Sequence, residues 1–334
     1  MSAGLESFTV RAAGLAGRLL TPEARHRILG ATDLPTLARE LSAAGYPSAE
    51  ARPEAHSLEL AVRRGASARL RQLARWDPAG RLGPLLFADE DRRSLRAVLR
   101  GAVANLSPEA RLAGTLPTPR LPERALTELA RQPSVAAIAA LLAVWRSPYA
   151  EPLAAALKDK PDLLELEVAL GRQIAADQLR AAGRDPGWRD FVRESIDLDN
   201  LRTALILAGR GDEIAPAHLF IPGGVVLTAE RFANIARAPD AAAGYRLAAS
   251  AWEGTALAAP LDRGYIAPLS LEPELEDLRR RAWRRRARSE PLGAPPVVYY
   301  LLRLRAEVRL LQRVVWGLAL GAPPARRRDP EDEA

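Results

Sequence analysis

The sequence predicts an all-α protein, and three observations support this fold class. Alanine, leucine and arginine, all strong helix formers, dominate the composition, whereas aromatic residues make up only 5% of the 334 residues. Apolar residues recur at helical spacing between capping residues and glycines. A similar helical pattern also occurs three times along the chain, at a period of about 106 residues.

Capping residues and glycines delimit the predicted helices of the N-terminal region. Thr21 is placed as an N-cap with Pro22 at the first helical position, which favours a helix start there. A second helix is predicted over residues 33–44, with Leu37 and Leu41 on its apolar face and Gly45 ending it. The two helices form the first predicted hairpin.

The same kinds of signal predict longer helices further along the chain. One begins near residue 163 and ends at Gly183, and a later one is expected to begin at an N-cap Asp197 and to end at Gly209. Residues 221–227 are interpreted as an extended linker. The uncharged stretch at residues 132–145 is predicted to be a buried helix, because a membrane span needs about 20 residues. The N-terminal segment also lacks the apolar core of a secretory signal, so we expect a soluble protein, or at most one peripheral to a membrane.

The internal repeat consists of two helical patterns joined by a long helix. The first pattern occupies residues 20–46, 121–149 and 227–252. The second contains the triplets 94–96, 200–202 and 310–312, which are offset by 106 and 110 residues. Glu59, Glu167 and Glu274 mark the long helix between the two patterns. The shared order favours true repetition over chance similarity among helices of like composition.

The repeat predicts the domain organisation. We expect helical repeats at residues 1–115, 116–222 and 223–325, followed by a disordered charged tail at 326–334. A period near 106 is too long for a two-helix solenoid, so each copy is predicted to be a small helical domain. Three such domains are predicted to be arranged around a pseudo-threefold axis.

The motifs that chemistry requires are missing from the sequence. It contains no cysteine, its three histidines stand apart from other ligand residues, and no glycine-rich loop leads into a lysine as in a phosphate-binding loop. The carboxylate pairs Asp89/Asp91 and Asp197/Asp199 stand at matching repeat positions, which favours helix capping over catalysis. We therefore expect no catalytic residue, no metal ligand and no cofactor.

An arginine-rich segment follows an acidic stretch near the C-terminus. It contains Arg279, Arg280, Arg281, Arg284, Arg285, Arg286 and Arg288. Spacing at i,i+4 predicts the pairs Glu276–Arg280 and Asp277–Arg281, which leaves at least four arginines without a local partner. Three interpretations stay open: a solvated helix face, a contact with an acidic partner or anionic lipid headgroups, and nucleic-acid binding. The formal net charge of +7 agrees with an acidic partner.

The second pattern of the middle repeat carries the most specific resemblance to a known family. It contains Asp197, Asp199, Asn200, Leu201 and Arg202 and is followed by the Ile-Pro-Gly-Gly linker of residues 221–224. The chain resembles the C subunit of prokaryotic V/A-type ATPases, a relative of the eukaryotic V-type ATPase d subunit. Residues 19–46 and 299–317 fit the same family, although residues 310–312 read Leu-Leu-Gln where the family usually has Asn-Leu-Arg. Within the repeat, Asn200 and Arg202 are expected to tie neighbouring hairpins together.

The resemblance implies a funnel of three helical domains on the cytoplasmic face of the membrane. Its wide face would rest on the ring of proteolipid subunits, and its opening would receive the central stalk made by the D and F subunits. The protein would turn as part of the rotor and transmit torque, without catalytic residues and without a nucleic-acid partner. The competing hypothesis is a helical nucleic-acid-binding protein that uses the arginine-rich segment.

Overall fold

The structure, a computed structural model, describes residues 2–47, 53–77, 80, 83–157, 163–210, 216–263 and 268–322. All regular elements in these ranges are helical, which confirms the predicted all-α class. The predicted tail at 326–334 lies outside the described residues. In chain order the helices are α1 (Ser2–Ala16), α2 (Pro22–Leu29), α3 (Leu34–Ala43), α4 (Ala55–Ala74), α5 (Gly83–Leu86), α6 (Ala88–Val103), α7 (Pro108–Leu112), α8 (Glu123–Ala130), α9 (Val135–Val144), α10 (Ala150–Leu157), α11 (Leu163–Ala182), α12 (Pro186–Leu207), a 3-10 turn (Pro216–Leu219), α13 (Ala229–Ala236), α14 (Ala241–Ala251), α15 (Ala258–Arg263), α16 (Pro268–Ser289) and α17 (Pro295–Ala319).

A pair of short helices recurs three times with one connection length. The pairs are α2–α3, α8–α9 and α13–α14, and four residues separate the two helices of each pair. The second helix of each pair begins at an N-cap, Asp33, Ser134 or Asp240, whose side chain accepts the backbone N–H three residues later. The same local signal therefore builds the same turn at three places in the chain.

Local signals at the N-terminal pair act as predicted. Thr21 accepts the N–H of Ala24 at 3.2 Å and caps α2, and Gly45, just beyond α3, has a φ of +80°, which favours glycine. The prediction of a buried helix at residues 132–145 is wrong in part. Ile138 of α9 is fully buried, but Val144 is 77% exposed, so α9 lies at the surface with an uncharged outer face.

Two long helices follow each pair, and the second of them packs against the next pair. The first long helix of each copy is α4, α11 or α16, and the second is α6, α12 or α17. Helix α6 packs against α8, α9 and α11, and α12 packs against α13 and α14. Helix α17 packs against α1, α3 and α4, so the C-terminal part of the described chain closes onto the N-terminal part.

The packing groups are therefore offset by one helix from the sequence copies. One buried apolar cluster shows this directly, because it combines residues of α6 with residues of α8, α9, α10 and α11. A second long helix thus contributes to the core of the next copy, although α12 and α17 also pack against the first long helix of their own copy. The boundaries at 115/116 and 222/223 stay predictions about the sequence copies, and the pseudo-threefold funnel stays a prediction about shape.

No helix in the described ranges combines the length and the apolarity that crossing a membrane requires.

Candidate functional site

Asp197 lies in the interior of α12, so the prediction that it caps a helix is wrong. Helix α12 begins earlier, at Pro186, where the N-cap Asp185 accepts the N–H of Trp188 at 2.9 Å. The buried Asp197 carboxylate accepts three consecutive backbone N–H groups, those of residues 225–227, at 2.8, 3.0 and 2.9 Å. These residues lead into α13. Asp197 therefore fixes the entrance to the third helix pair.

Asp91 occupies the corresponding position on α6, 106 residues before Asp197. Its buried carboxylate accepts hydrogen bonds from the Thr118 hydroxyl and, at 2.5 Å, from the Tyr149 hydroxyl. Thr118 in turn accepts the backbone N–H of Leu121 at 3.0 Å, just before α8. Burial raises the pKa of Asp91 to about 6, although both hydroxyl donors act to lower it. Asp91 therefore fixes the entrance to the second helix pair.

Glu307 occupies the corresponding position on α17, 110 residues after Asp197. Its buried carboxylate accepts the backbone N–H of Leu20 at 2.7 Å, just before α2. It also accepts the Tyr46 hydroxyl at 2.5 Å and pairs with Arg69 at 3.1 Å. Burial and the Glu307 charge together raise the pKa of Tyr46. Glu307 therefore fixes the entrance to the first helix pair.

We call Asp91, Asp197 and Glu307 the entrance carboxylates. Each stands on a second long helix and binds the chain that leads into the next helix pair. The third closes the series, because it joins α17 to the start of α2, 287 residues earlier. The oxygens of all three accept protein donors, so their chemistry is to hold helices together.

The residue one turn after each entrance carboxylate is Ser94, Asn200 or Leu310. In the first two cases its side chain binds the linker that leads into the next helix pair. The Ser94 hydroxyl accepts the N–H of Leu116 at 3.1 Å and donates to its carbonyl at 3.3 Å. Asn200 makes the corresponding two bonds with the backbone of Ile221, at 2.7 and 2.8 Å. The third position is Leu310, a buried apolar side chain that cannot form such bonds.

A further set of contacts runs from the second long helices to the first long helix of the next packing group. Arg96 of α6 pairs with the buried Glu167 of α11 at 2.8 Å. Gln312 of α17 contacts Glu59 of α4 at 3.5 Å, and the Trp316 indole N–H donates to Glu59 at 3.1 Å. The two glutamates each stand at the fifth position of their helix.

The third member of this set corrects the sequence alignment. Arg202 of α12 pairs with Glu272 of α16 at 3.0 Å, and Glu272 stands at the fifth position of its helix. Glu274, which the sequence spacing selected, pairs with Arg263 at 3.1 Å instead. A shift of two residues turns a side chain to another helix face, so spacing alone could not separate these candidates.

The three second long helices meet in a network of buried ion pairs. Arg92 of α6 pairs with Asp199 of α12, and Arg305 of α17 pairs with Asp89 at 3.3 Å and with Glu90. Burial alone would raise the pKa of Asp89, but Arg305 and Arg92 outweigh it and hold that pKa well below its usual range. Asp89 lies in the first turn of α6, and its side chain binds another helix as well.

Glu276 of α16 forms ion pairs with residues of all three second long helices. It pairs with Arg93 of α6 at 3.6 Å, with Arg202 of α12 at 3.8 Å, and with Arg309 of α17. Burial and the charge of Arg93 lower the pKa of Arg309 to about 10. We call the ion pairs around Glu276 and Asp89 the helix junction.

The sequence-predicted signature residues other than Asp197 have different roles. Asp199 and Arg202 are in the junction, Asn200 binds the linker, and Leu201 is fully buried in the apolar core. Sequence reasoning missed Glu307, although the offset of 110 that aligns Leu310 with Asn200 also aligns Glu307 with Asp197.

The arginine-rich segment divides between two faces of α16. Arg279 is buried, pairs with Glu194 of α12 at 3.0 Å and donates to the Ser195 hydroxyl at 2.5 Å. Arg286 pairs with Asp190 of α12 at 3.1 Å. These two arginines join α16 to α12 and are not part of a free basic surface.

Three other arginines of the segment, Arg280, Arg281 and Arg284, line a cavity that α16 forms with α2 and α17. Asp277 pairs with Arg281 at 2.8 Å, as predicted, and with Arg280 at 2.5 Å. Arg284, Arg285 and Arg288 are exposed. The surface on which a partner could bind is therefore smaller than the sequence indicated.

Comparison with known proteins identifies the family. The profile of the ATP synthase (C/AC39) subunit family matches residues 8–329. The C subunit of a V-type ATP synthase from Thermus thermophilus is 34% identical over 155 residues, which are 45% of this chain and 46% of that protein. A-type ATP synthase C subunits from Haloferax volcanii and Halobacterium salinarum are 26% and 28% identical over 156 and 189 residues, or 44% and 53% of their own lengths. The chain thus spans about half the length of these relatives in the matched segments. Because the family profile matches nearly the whole chain, the chain belongs to the ATP synthase (C/AC39) subunit family.

Proposed function

We propose that this chain is a non-catalytic central-stalk subunit of a prokaryotic V/A-type rotary ATPase or ATP synthase. In this role it links a D–F shaft to the membrane ring of proteolipid subunits and transmits torque between them. Family membership supports the proposal, and so do the names of relatives, which are C subunits of V-type and A-type ATP synthases.

The observation that carries the proposal is the closed series of contacts between helical units. A part that transmits torque must keep its units from sliding past one another. The entrance carboxylates bind each unit to the next through buried, charge-assisted hydrogen bonds, and Glu307 joins the last unit to the first. Glu307 is also ion-paired with Arg69, and removing one partner of a buried charge pair costs about 3–5 kcal/mol, so this contact resists shear.

We place the subunit at the cytoplasmic face of the membrane, on the proteolipid ring. Arg284, Arg285 and Arg288 are exposed on α16 and suit an acidic partner surface or anionic lipid headgroups. Each arginine near an anionic surface contributes about 1 kcal/mol at ordinary ionic strength.

Co-expression with the D, F and proteolipid subunits tests the assignment. The tagged chain should co-purify with D–F and with the ring, and the isolated chain should hydrolyse no ATP. The proposal is refuted when the chain binds neither D–F nor the ring under conditions in which the other subunits assemble.

A paired variant tests the torque role within the assembled complex. Glu307→Ala breaks the closing contact, whereas Glu253→Ala removes an exposed carboxylate on the connection after α14. We expect Glu307→Ala to lower ATP-driven ion transport per ATP hydrolysed, and Glu253→Ala to leave that ratio unchanged. Equal ratios for both variants would show that the closing contact is not needed for coupling.

Nucleic-acid binding is the second candidate, because exposed arginines remain on α16. Phosphate contacts would give affinity that falls steeply with salt. Since Arg279 and Arg286 are held by α12, we expect no gel shift of duplex DNA or RNA at moderate salt.

A further inference from the structure

A cavity of about 500 Å³ lies between α2, α16 and α17. It borders the face of α17 opposite to the face that contacts the helix junction. Its lining is strongly basic. Five arginines line the cavity together with one carboxylate: Arg25, Arg280, Arg281, Arg284, Arg303 and Glu307.

The lining carboxylate does not neutralise this charge. Glu307 is held by Arg69, by a backbone N–H and by a tyrosine hydroxyl, and none of these donors belongs to the five arginines. Asp277 pairs with both Arg280 and Arg281. Arg284 and Arg303, by contrast, have no carboxylate partner among the described residues.

Two of the arginines are placed to change partners at low cost. Arg284 is exposed and makes no side-chain hydrogen bond or ion pair with any described residue. Arg303 lies over the Tyr299 ring at 5.8 Å and makes one long bond, 3.4 Å, to the carbonyl of Ala16. Both guanidinium groups can therefore turn toward a bound anion without breaking a strong contact.

We propose that this cavity binds a phosphate-bearing anion with two or more negative charges. The guanidinium fork matches phosphate oxygens in two-point contacts, and the charged part of the lining is arginine apart from one glutamate. The volume falls within the range of about 300–1,000 Å³ that small-ligand sites occupy. An α-helix of a partner is about 10 Å wide, so a cavity of this volume would accommodate only about one helical turn.

The ligand would bridge parts of the chain that are far apart in sequence. Arg25 belongs to α2, whereas the other four arginines belong to α16 and α17. Binding would therefore strengthen the closure between the first helix pair and the C-terminal helices. This inference does not depend on the proposed function.

Calorimetric titration of the full chain with inorganic pyrophosphate tests the proposal. We expect one site per chain with a Kd below about 1 mM at low salt, and a melting temperature that rises with pyrophosphate concentration. Arg284→Gln should weaken binding about tenfold, and Arg284→Gln combined with Arg303→Gln about a hundredfold. The single variant removes no contact to a described residue, so its folding should be unchanged.

Arg285→Gln is the matched control, because Arg285 is exposed on the same helix and does not line the cavity. It should change affinity less than about twofold. The proposal is overturned when pyrophosphate does not bind, or when Arg285→Gln weakens binding as much as Arg284→Gln.

Vesicles distinguish the two sources of such a phosphate. Sedimentation with phosphatidylglycerol vesicles, compared with phosphatidylcholine alone, reports headgroup binding. If the chain co-sediments with the vesicles, and both Arg284→Gln and added pyrophosphate reduce this co-sedimentation, the ligand is a lipid headgroup. Pyrophosphate binding without co-sedimentation supports a free phosphate compound.

Discussion

Replacing Asp197 by alanine removes the acceptor of three backbone N–H groups at the entrance to α13. The N–H of Leu227 is buried, whereas those of Val225 and Val226 are only partly buried. A buried donor that loses a charged acceptor costs about 2 kcal/mol, and a donor that water can reach costs about 1 kcal/mol. The free energy of unfolding should therefore fall by about 4 kcal/mol.

Asp197→Asn gives a graded comparison at the same site. One amide oxygen keeps part of the acceptor capacity, but the new amide N–H₂ faces other donors. We expect the free energy of unfolding to fall by about 2–3 kcal/mol, which is less than the fall in Asp197→Ala.

Urea unfolding followed by far-UV circular dichroism measures these losses, and amide hydrogen exchange locates them. Asp240→Ala is the calibrating control, because Asp240 caps α14 with one bond of 2.7 Å to an exposed N–H. A lost N-cap costs about 1 kcal/mol. Exchange should accelerate at residues 225–227 in Asp197→Ala and not in Asp240→Ala. A loss in Asp197→Ala no larger than that in Asp240→Ala would refute the assigned role.

Three further predictions concern the same contacts. Glu307→Ala should lower the free energy of unfolding by about 3–5 kcal/mol, because the partly buried Arg69 and two other donors lose their acceptor. A loss below about 1 kcal/mol in urea unfolding would contradict this. The pKa of Asp91 is raised to about 6 in the fold, so its ionisation opposes folding. The stability of the wild type should therefore fall as the pH rises from about 4 to about 6. Across the same window Asp91→Asn should gain about 2–3 kcal/mol relative to wild type, as measured by unfolding at each pH. A Cβ at Gly224 would lie 2.2 Å from Oδ1 of Asp197, so Gly224→Ala should lower the melting temperature, whereas Gly14→Ala, in open space on α1, should raise it slightly.

Helix pairs could be predicted from the sequence because their signals are local. The Asp33 cap and the left-handed Gly45 each act on backbone groups a few residues away, so the chain on either side contains the whole interaction. Asp197 failed as a predicted cap because a stronger start, Asp185 followed by Pro186, lies upstream and the helix continues through it. The sequence also failed to predict the exposed face of α9, because alanine, its commonest residue, occurs both in protein cores and on protein surfaces.

The sequence by itself determined the helical class, the threefold repetition of the helix pair and some of the contact positions, such as Asn200 and Arg202, but not Glu307 or Glu272. Only the tertiary structure decided which partners those positions meet. The donors to Asp197 lie 28 to 30 residues away, and Leu20 lies 287 residues from Glu307. Periodicity gives the face of a helix but not the element that covers it, because that depends on how every helix packs. For the same reason, one row of arginines in the sequence became a buried anchor to α12 on one side of α16 and a basic cavity on the other.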